Sequence, residues 1–425
     1  MNKSVEDKVK SIAISAIQKK LLGKKLTYRE IYAIMDEIAH EHLTDILTTY
    51  FVASSFKDGY SPTELFQFTK AMVETGNKLH FKGIVADKHS VGGIAGTRAT
   101  MIIVPIVAAA GFIIPKISSR AITSPAGTAD VMEAIADVDF TPSQIYKIID
   151  KVGGCIVWNG QLGIAPADDI IIRVEEPLSF ESFDKVIISV MAKKIAAGTT
   201  HLALDLPIGK TAKIHHFTDA EKVATKFKNL AAHFGIKTVI DINEMLEPAG
   251  RGIGPILEAR DVLYVLEQDK DRPLRLEAKA LRLAGMLLDI CYKDKKMKSK
   301  IKSGEDEARK ILESGAALKK FREIVHAQNG NKDVSSGNLK LSSHKKEIKS
   351  LVSGKIKDIN NYNLNTVAKV LGSPDDKQAG IYMLKKLDHS VDKKEDMLIL
   401  YSGDKYRLKE AEVTLHNLPI FKIER

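Results

Sequence analysis

The sequence predicts an α/β fold in which a small all-helical domain precedes a larger α/β domain. Three observations carry this expectation. Residues 1–80 hold two helix-start signatures among apolar residues at helical spacing. From Ile84 the chain changes to short apolar runs separated by Gly, Ser and Pro turns, with strand and helix alternating. Such alternation implies a parallel sheet whose ligand loops lie at the strand C-termini. Finally, two polar, glycine-bearing loops fall at such positions between Asp87 and Asp130: DKHSVGGIAGTRAT and PKISSRAITSPAGTAD, with one apolar run between them.

The elements follow in order. Thr27-Tyr28-Arg29-Glu30 reads as a capping box ahead of an amphipathic helix ending near His40. Leu43–Phe56 carries apolar residues at helical spacing. Ser61-Pro62-Thr63-Glu64 starts another helix, with Pro at N1 and Glu at N3, that should end at Gly76. GIVADKHS reads as strand then loop, GTRATMIIVPIVAAAG as helix, FIIPKISS as strand then loop, and TADVMEAIAD as helix. Ala165–Gly198 reads as a strand or extended segment followed by a helix over Phe183–Ala197. HLALDLPIGKTAK is a strand with a glycine turn, and a further helix and strand run through Ile242. GRGIGP (Gly250–Pro255) opens a helix over Ile256–Glu267, and residues 275–330 read as helices. The last region, 335–425, shows short strands in GIYMLKKL and MLILYSG and a terminal helix over Leu408–Leu418.

At 425 residues the chain is too long for one ordinary core. Its 44% hydrophobic and 28% charged residues give the balance of a folded, water-soluble protein. The longest apolar run, near Met101–Ile114, is broken by Pro105 and Gly111 and falls short of the roughly 18 residues that span a bilayer. No signal-type apolar core follows MNKSVEDKVK. Two cysteines, Cys155 and Cys291, make neither a disulfide framework nor a metal site. A cytoplasmic protein without membrane partners is expected. The net charge of +10 points toward an anionic partner. Its excess collects in Lys293–Lys302 and Lys340–Lys357, where no aromatics interleave the cations as on a single-strand stacking platform. A solvated lysine-rich face is the plainer reading, and no nucleic-acid partner is expected.

Both loops hold the inventory for gripping phosphate. Backbone N–H groups in a Gly-rich turn or at a helix N-terminus supply positive potential. Lys88 and His89 add charge and a titratable group, and Ser90, Thr100, Ser118, Ser119, Thr123, Ser124 and Thr128 offer hydroxyl donors. Two such grips suit a substrate with two phosphates. The bland alternatives are a tight turn for Gly92 and Gly93 and a structural hydrogen bond for His89.

KHSVGG (Lys88–Gly93) resembles the KHSTGG of the thymidine/pyrimidine nucleoside phosphorylase family. ISSRAITSPAGTAD (Ile117–Asp130) resembles that family's ISGRGLxHTGGTLD signature, in the variant typical of its AMP phosphorylase branch. LGIAPADD, SVMAKK (Ser189–Lys194), DLPIGKTAK and EPAGRGIGPILEARDVL are similar to further blocks of the branch, in the expected order. Members of the branch typically carry an additional N-terminal domain, and this chain begins after it.

The resemblance implies phosphorolysis of a nucleoside 5′-monophosphate, AMP with CMP and UMP besides, to free base and ribose 1,5-bisphosphate in nucleotide salvage. Inorganic phosphate is then a co-substrate, and no cofactor or metal is expected. A pyrimidine nucleoside phosphorylase is the alternative; SPAGT in place of HTGGT, with Arg120 and Lys213, favours the nucleotide. A phosphoribosyltransferase of the same architecture would use a diphosphate with magnesium, and no acidic motif is placed to hold that metal. A nucleotide sensor with a degenerate site would have lost Lys88, Ser90 or Thr128, and all are present. The implied architecture is a homodimer whose helical domain combines 1–80 with 166–197. Its α/β domain combines 81–165 with 198–334 around a central mixed sheet, 335–425 forms a C-terminal α/β subdomain, and the active-site cleft lies between the helical and α/β domains.

By the same resemblance the nucleophilic phosphate sits among Lys88, Ser90, Thr100, Ser118 and Thr128. Thr100 stands where the nucleoside enzymes place Ser, after a one-residue insertion in the loop. Gly93, Ser119, Arg120, Ala121, Ile122, Thr123, Ser124, Thr128 and Lys213 are expected substrate contacts. A 5′-phosphate near a second phosphate needs cations and N–H donors to offset the repulsion, and Arg120 can bind it bidentately. An ion pair for Arg120 and a solvated loop for Lys213 are the bland readings. His89 matches an active-site histidine that contacts ribose or base. Ser189 and Lys193, four apart on one helix face, match base contacts, as does Arg173. Departure of a purine is helped by a general acid. The branch assigns this to an aspartate eight residues before the helix serine, where this chain has Glu181; Asp184 is the nearest substitute, and a helix cap is the plainer role for either.

Overall fold

Two compact units take up the apolar faces laid out by the sequence. The computed structural model describes residues 3–54, 59–121, 124–175, 182–295 and 303–424. One unit comprises Met1–Gly83, Leu162–Thr200 and Glu221–Thr238; the other comprises Ile84–Gln161, His201–Ala220 and Val239–Arg425.

The chain opens with α1 (Lys3–Leu21), α2 (Tyr28–Ala39), α3 (Asp45–Ser54) and α4 (Pro62–Glu74). It continues through β1 (Ala86–Ser90), α5 (Thr100–Ala109), β2 (Ile114–Ser118), α6 (Thr128–Glu133), α7 (Pro142–Val152) and β3 (Gly154–Trp158). Two helices follow, α8 (Pro166–Glu175) and α9 (Phe183–Ala196), and then β4 (His201–Ile208), α10 (Phe217–His233) and β5 (Lys237–Glu244). β6 (Gly252–Ile253) leads into α11 (Pro255–Leu266), α12 (Leu274–Asp294), α13 (Gly304–Glu313) and α14 (Ala316–Ala327). The C-terminal region holds β7 (Lys345–Lys349), β8 (Gly354–Ile359), α15 (Asn361–Leu371), β9 (Gly380–Met383), β10 (Ser390–Val391), β11 (Asp396–Tyr401), α16 (Lys405–Asn417) and β12 (Phe421–Glu424).

In the helical unit both capping boxes close. Thr27 accepts from the Glu30 N–H while Glu30 takes the Thr27 N–H, and Ser61 and Glu64 repeat the exchange with Pro62 in the first turn. α2 then buries Ile31, Ile34, Met35 and Ile38 along one face. The segment read as strand or extended after Ala165 is the helix α8, which corrects that expectation. Pro166 opens it, Asp168 and Asp169 occupy the first turn and Arg173 the last, the charge order that suits a helix dipole. Ile171 and Val174 go inward, so the triple isoleucine is half of a helical stripe rather than a strand. Residues 221–238 join this unit because Phe66 packs on His233 and Phe234, at ring separations of 5.8 and 5.0 Å. Lys226 also pairs with Asp184 at 2.5 Å.

The other unit is built on parallel strands. β1 pairs with β4 from Ala86↔His201 to Ser90↔Asp205, and β2 with β3 from Ile114↔Gly154 to Ser118↔Trp158. A parallel bridge between Val85 and Ile113 joins the two pairs. β5 extends the sheet beyond β4: the Lys237 N–H meets Thr200 O at one end and the Met245 N–H meets Ile208 O at the other, a parallel run. α5 is apolar all round and is buried from Thr100 to Ala108. It packs against α12 and α14. The C-terminal region adds antiparallel sheets in the orders β6-β9-β11-β7 and β10-β8-β12. The architecture is therefore a helical bundle plus an α/β unit with both parallel and antiparallel pairing. α16 begins at Lys405, capped by the Asp404 side chain on the Tyr406 N–H, three residues before the expected start.

Candidate active site

Lys88 is the centre of a buried polar cluster at the C-terminal end of β1. It lies on the strand rather than in the loop after it, and its side chain is 2% exposed. Its ammonium donates to Ser90 Oγ and, at 3.4 Å, to Thr100 Oγ1 on the first turn of α5. Ser90 in turn donates to Asp205 Oδ2 at 2.6 Å. Asp205, opposite Ser90 in the β1–β4 register, also accepts from Lys279 Nζ at 2.7 Å and Asn243 Nδ2 at 2.8 Å. Burial drags the Lys88 pKa down to about 8; Asp205 pulls it back up, while Lys279 and Arg98 push it further down. Burial works against the Asp205 carboxylate, yet Lys88 and Lys279 outweigh it and hold the pKa at about 2. Two ammonium groups, Lys88 and Lys279, share the Asp205 carboxylate beside two hydroxyls, a setting that attracts a phosphate.

The second loop is folded on itself by Asp130. Its Oδ2 accepts from the Ala121 and Gly127 N–H groups at 2.6 and 2.8 Å. Gly127 must be glycine there, because a Cβ would stand 2.6 Å from the Arg120 carbonyl carbon. Ser118 ends β2, Ser119 is exposed, Ser124 donates to Ala126 O at 3.1 Å, and Thr128 opens α6. Arg120 makes two bonds to Glu133, at 2.5 and 2.6 Å, and lies 4.6 Å over the Trp158 ring. Lys377 reaches the same Glu133 at 2.7 Å. The ion pair weighed for Arg120 in the sequence is present. The bond from Arg120 is the main reason that Glu133 is held near a pKa of about 2, with burial opposing it and Lys377 assisting.

The first loop and the GKTAK segment meet at Gly92. This residue has φ +70°, and a Cβ on it would stand 2.5 Å from Lys213 Cγ. The absence of a side chain at Gly92 is what lets the exposed Lys213 stem lie across the loop. Gly93 has ordinary backbone geometry with room for a Cβ, and His89 is half-buried on β1.

In the helical unit Asp168 gathers two of the expected base contacts. It accepts from Ser189 Oγ at 2.8 Å and pairs with Lys193 Nζ at 2.8 Å. Lys193 also reaches Asp169 at 3.2 Å. Burial lowers the Lys193 pKa, but the two aspartates outweigh it and hold the ammonium above the ordinary lysine range. Arg173 pairs with Asp45 at 3.1 Å and is more than half exposed. Asp184 is engaged twice, by the Tyr60 N–H at 2.8 Å and by Lys226. The cap of α9 is Ser182, on the Lys185 N–H, and not Asp184. Glu181, Ile122 and Thr123 lie outside the described residues.

Several participants were not singled out in the sequence: Asp205, Lys279, Asn243, Arg98, Glu258, Glu133, Lys377 and Asp168. Asp205 had a legible signal, since a carboxylate within the buried apolar strand HLALDLPI demands charged partners.

A family profile described as "Glycosyl transferase family, a/b domain" matches residues 82–318. "Glycosyl transferase family, helical bundle domain" matches 14–76, and "Pyrimidine nucleoside phosphorylase C-terminal domain" matches 355–419. The chain is 40% identical over 410 residues to AMP phosphorylase 1 of Archaeoglobus fulgidus, covering 96% of this chain and 80% of that protein. The chain belongs to the pyrimidine nucleoside phosphorylase family, in its AMP phosphorylase branch.

Within the family, the AMP phosphorylase of Methanocaldococcus jannaschii is likewise 40% identical over 408 residues, with 96% and 80% coverage. A protein named putative thymidine phosphorylase, from Rhodopseudomonas palustris, is 40% identical over 395 residues, covering 92% of this chain and 75% of that one. The phosphorylase fold is shared with the anthranilate phosphoribosyltransferase of Thermus thermophilus: the TM-score is 0.61 at 19% identity, over 74% of this chain and 99% of that one. Among the described residues no helix is long and apolar enough to cross a membrane.

Proposed function

We propose that this chain catalyses the phosphorolysis of AMP. An oxygen of inorganic phosphate attacks C1′ of the ribose, the C1′–N9 bond breaks with its electron pair leaving on adenine, and adenine takes up a proton. The products are adenine and ribose 1,5-bisphosphate, which places the reaction in nucleotide salvage. The observation that carries this reading is the 40% identity, across 96% of the chain, to relatives named AMP phosphorylase. CMP and UMP are proposed as further substrates, and a homodimer in the cytoplasm as the working form.

Displacement at C1′ passes through an oxocarbenium-like transition state in related glycosyl chemistry, so positioning and charge do most of the work. Lys88, Ser90, Thr100, Ser118 and Thr128 are proposed to hold the nucleophilic phosphate; the Lys88–Asp205–Lys279 cluster supports this by supplying desolvated positive charge. Arg120 and Lys213, with the loop from Ser119 to Ser124, are proposed for the 5′-phosphate, and His89 for the ribose or base. Ser189, Lys193 and Arg173 are proposed base contacts, and Glu181 the general acid.

The relative named putative thymidine phosphorylase keeps a second reading open, phosphorolysis of nucleosides that lack the 5′-phosphate. Phosphate-dependent base release from AMP, CMP, UMP, adenosine, uridine and thymidine separates the two. Release from the monophosphates alone is the expected result. Release confined to thymidine or uridine would establish the second reading instead.

A further inference from the structure

Arg98 belongs to the first loop and reaches across to the second. Its Nη1 donates to Thr128 Oγ1 at 3.0 Å and its Nη2 to Ala126 O at 2.9 Å, gripping the second loop where α6 begins. On the other side Nε donates to Glu258 Oε2 at 2.9 Å. Glu258 is 1% exposed, and its other oxygen takes the Gly254 N–H at 3.2 Å. A buried carboxylate paired with a guanidinium is a fixed anchor, because freeing either partner would strand a charge away from water. Arg98 is thus clamped by α11 and aimed at one hydroxyl.

The chemistry of that hydroxyl gives the aim its meaning. A threonine hydroxyl holds one proton and two lone pairs, and it can donate or accept as its neighbours require. A guanidinium has five N–H donors and accepts nothing. With Arg98 filling a lone pair of Thr128, the threonine proton is turned away from Arg98 and presented as a donor. The ionised oxygens of phosphate accept and need donors, so an unassigned hydroxyl that must reorient is a poorer ligand for them than one already set.

We infer that Arg98 is a positioning residue for the co-substrate phosphate, holding Thr128 as a hydroxyl donor through a guanidinium anchored on Glu258. The inference rests on the proposed role of Thr128 as a phosphate ligand. It assigns Arg98 no contact with the reacting atoms. Its consequence is graded: losing the Arg98 fork weakens phosphate more than AMP, whose proposed loop Arg98 touches only through Ala126 O.

The test is steady-state kinetics of adenine release, with phosphate and AMP varied separately, for Arg98→Met, Arg98→Lys, Thr128→Val and the Arg98→Met/Thr128→Val double variant. Arg98→Met is expected to raise the phosphate KM roughly tenfold, the size of losing a hydrogen bond from a charged group, with a smaller rise in the AMP KM. Arg98→Lys keeps the charge and one donor, and should recover part of the loss. Thr128→Val should raise the phosphate KM as well, and the double variant should be no worse than the worse single variant, since residues acting through one contact are non-additive. If Thr128→Val raises the phosphate KM and Arg98→Met does not, the inference is overturned and the phosphate reading stands. If Thr128→Val leaves it unchanged, the reading itself fails. Should Arg98→Met not fold, Glu258→Gln takes its place, since it loosens the anchor while keeping the side-chain shape. An unchanged phosphate KM in that variant overturns the inference.

Discussion

Ser90 and Asp205 stand opposite one another in the parallel β1–β4 register, and the serine hydroxyl donates to the aspartate at 2.6 Å. The same carboxylate pairs with Lys279 at 2.7 Å and stands 3.7 Å from Lys88, all three being almost fully buried. Removing its charge takes from two buried ammonium groups the carboxylate they share. Asp205→Asn is therefore expected to cost about 3 kcal/mol or more of stability. Ser90→Ala deletes one hydroxyl and should cost about 1 kcal/mol. Urea unfolding of the two variants measures the difference, and equal midpoints would contradict this account of the cluster.

The pH profile follows from Lys88. Its pKa is pulled down to about 8 chiefly by burial, with Asp205 opposing and Lys279 and Arg98 reinforcing the fall. The charged form that attracts phosphate is present below about pH 8 and is lost as pH rises through it. kcat/KM for phosphate should fall tenfold per pH unit well above that point. Asp205, held at about 2, stays ionised throughout and adds no acid limb of its own. Profiles of kcat/KM for phosphate between pH 6 and pH 10 are the check; a flat alkaline limb would remove Lys88 from phosphate binding.

Arg120 is committed to Glu133 in this structure, and Lys377 shares that carboxylate. If Arg120 binds the 5′-phosphate, it exchanges one anion for another. Arg120→Met should then lower kcat/KM for AMP by about 10²-fold, the scale of a charge-assisted bidentate contact. Residual turnover of adenosine should barely change. Equal losses on AMP and adenosine would mean that Arg120 only braces the loop against Trp158.

Glu181→Gln tests the general acid. kcat for AMP should drop by about 10² or more, and a base analogue with a better leaving group should lose less. Unchanged turnover would exclude Glu181. Asp184 is a poor substitute because the Tyr60 N–H and Lys226 already occupy both its oxygens.

What could be read from the sequence was what local rules decide. Thr27-Glu30 and Ser61-Glu64 closed as capping boxes because that motif satisfies its own N–H groups within four residues. α9 begins at Phe183 as its spacing implied. The isoleucine run in α8 misled because a short apolar stretch suits strand or helix equally, and Pro166 with two acidic residues tipped it to helix. In the site, motif residues such as Lys88, Ser90 and Thr100 could be named, and the structure does bring these three together. Asp205 signalled only that it needs charged partners; which residues meet it could not be read, since Asp205, Lys279 and Asn243 come from β4, α12 and β5 and are brought together by tertiary packing. Arg98 was hidden for the same reason, its anchor Glu258 lying 160 residues away.

The most direct test is to follow the phosphorus resonances of AMP and inorganic phosphate in one tube with the enzyme, by ³¹P NMR. Conversion of both into a single product carrying two phosphoryl groups, ribose 1,5-bisphosphate, with adenine released in equal amount, is the predicted result. Adenine release that proceeds without consuming phosphate, giving ribose 5-phosphate, would show hydrolysis and contradict the account.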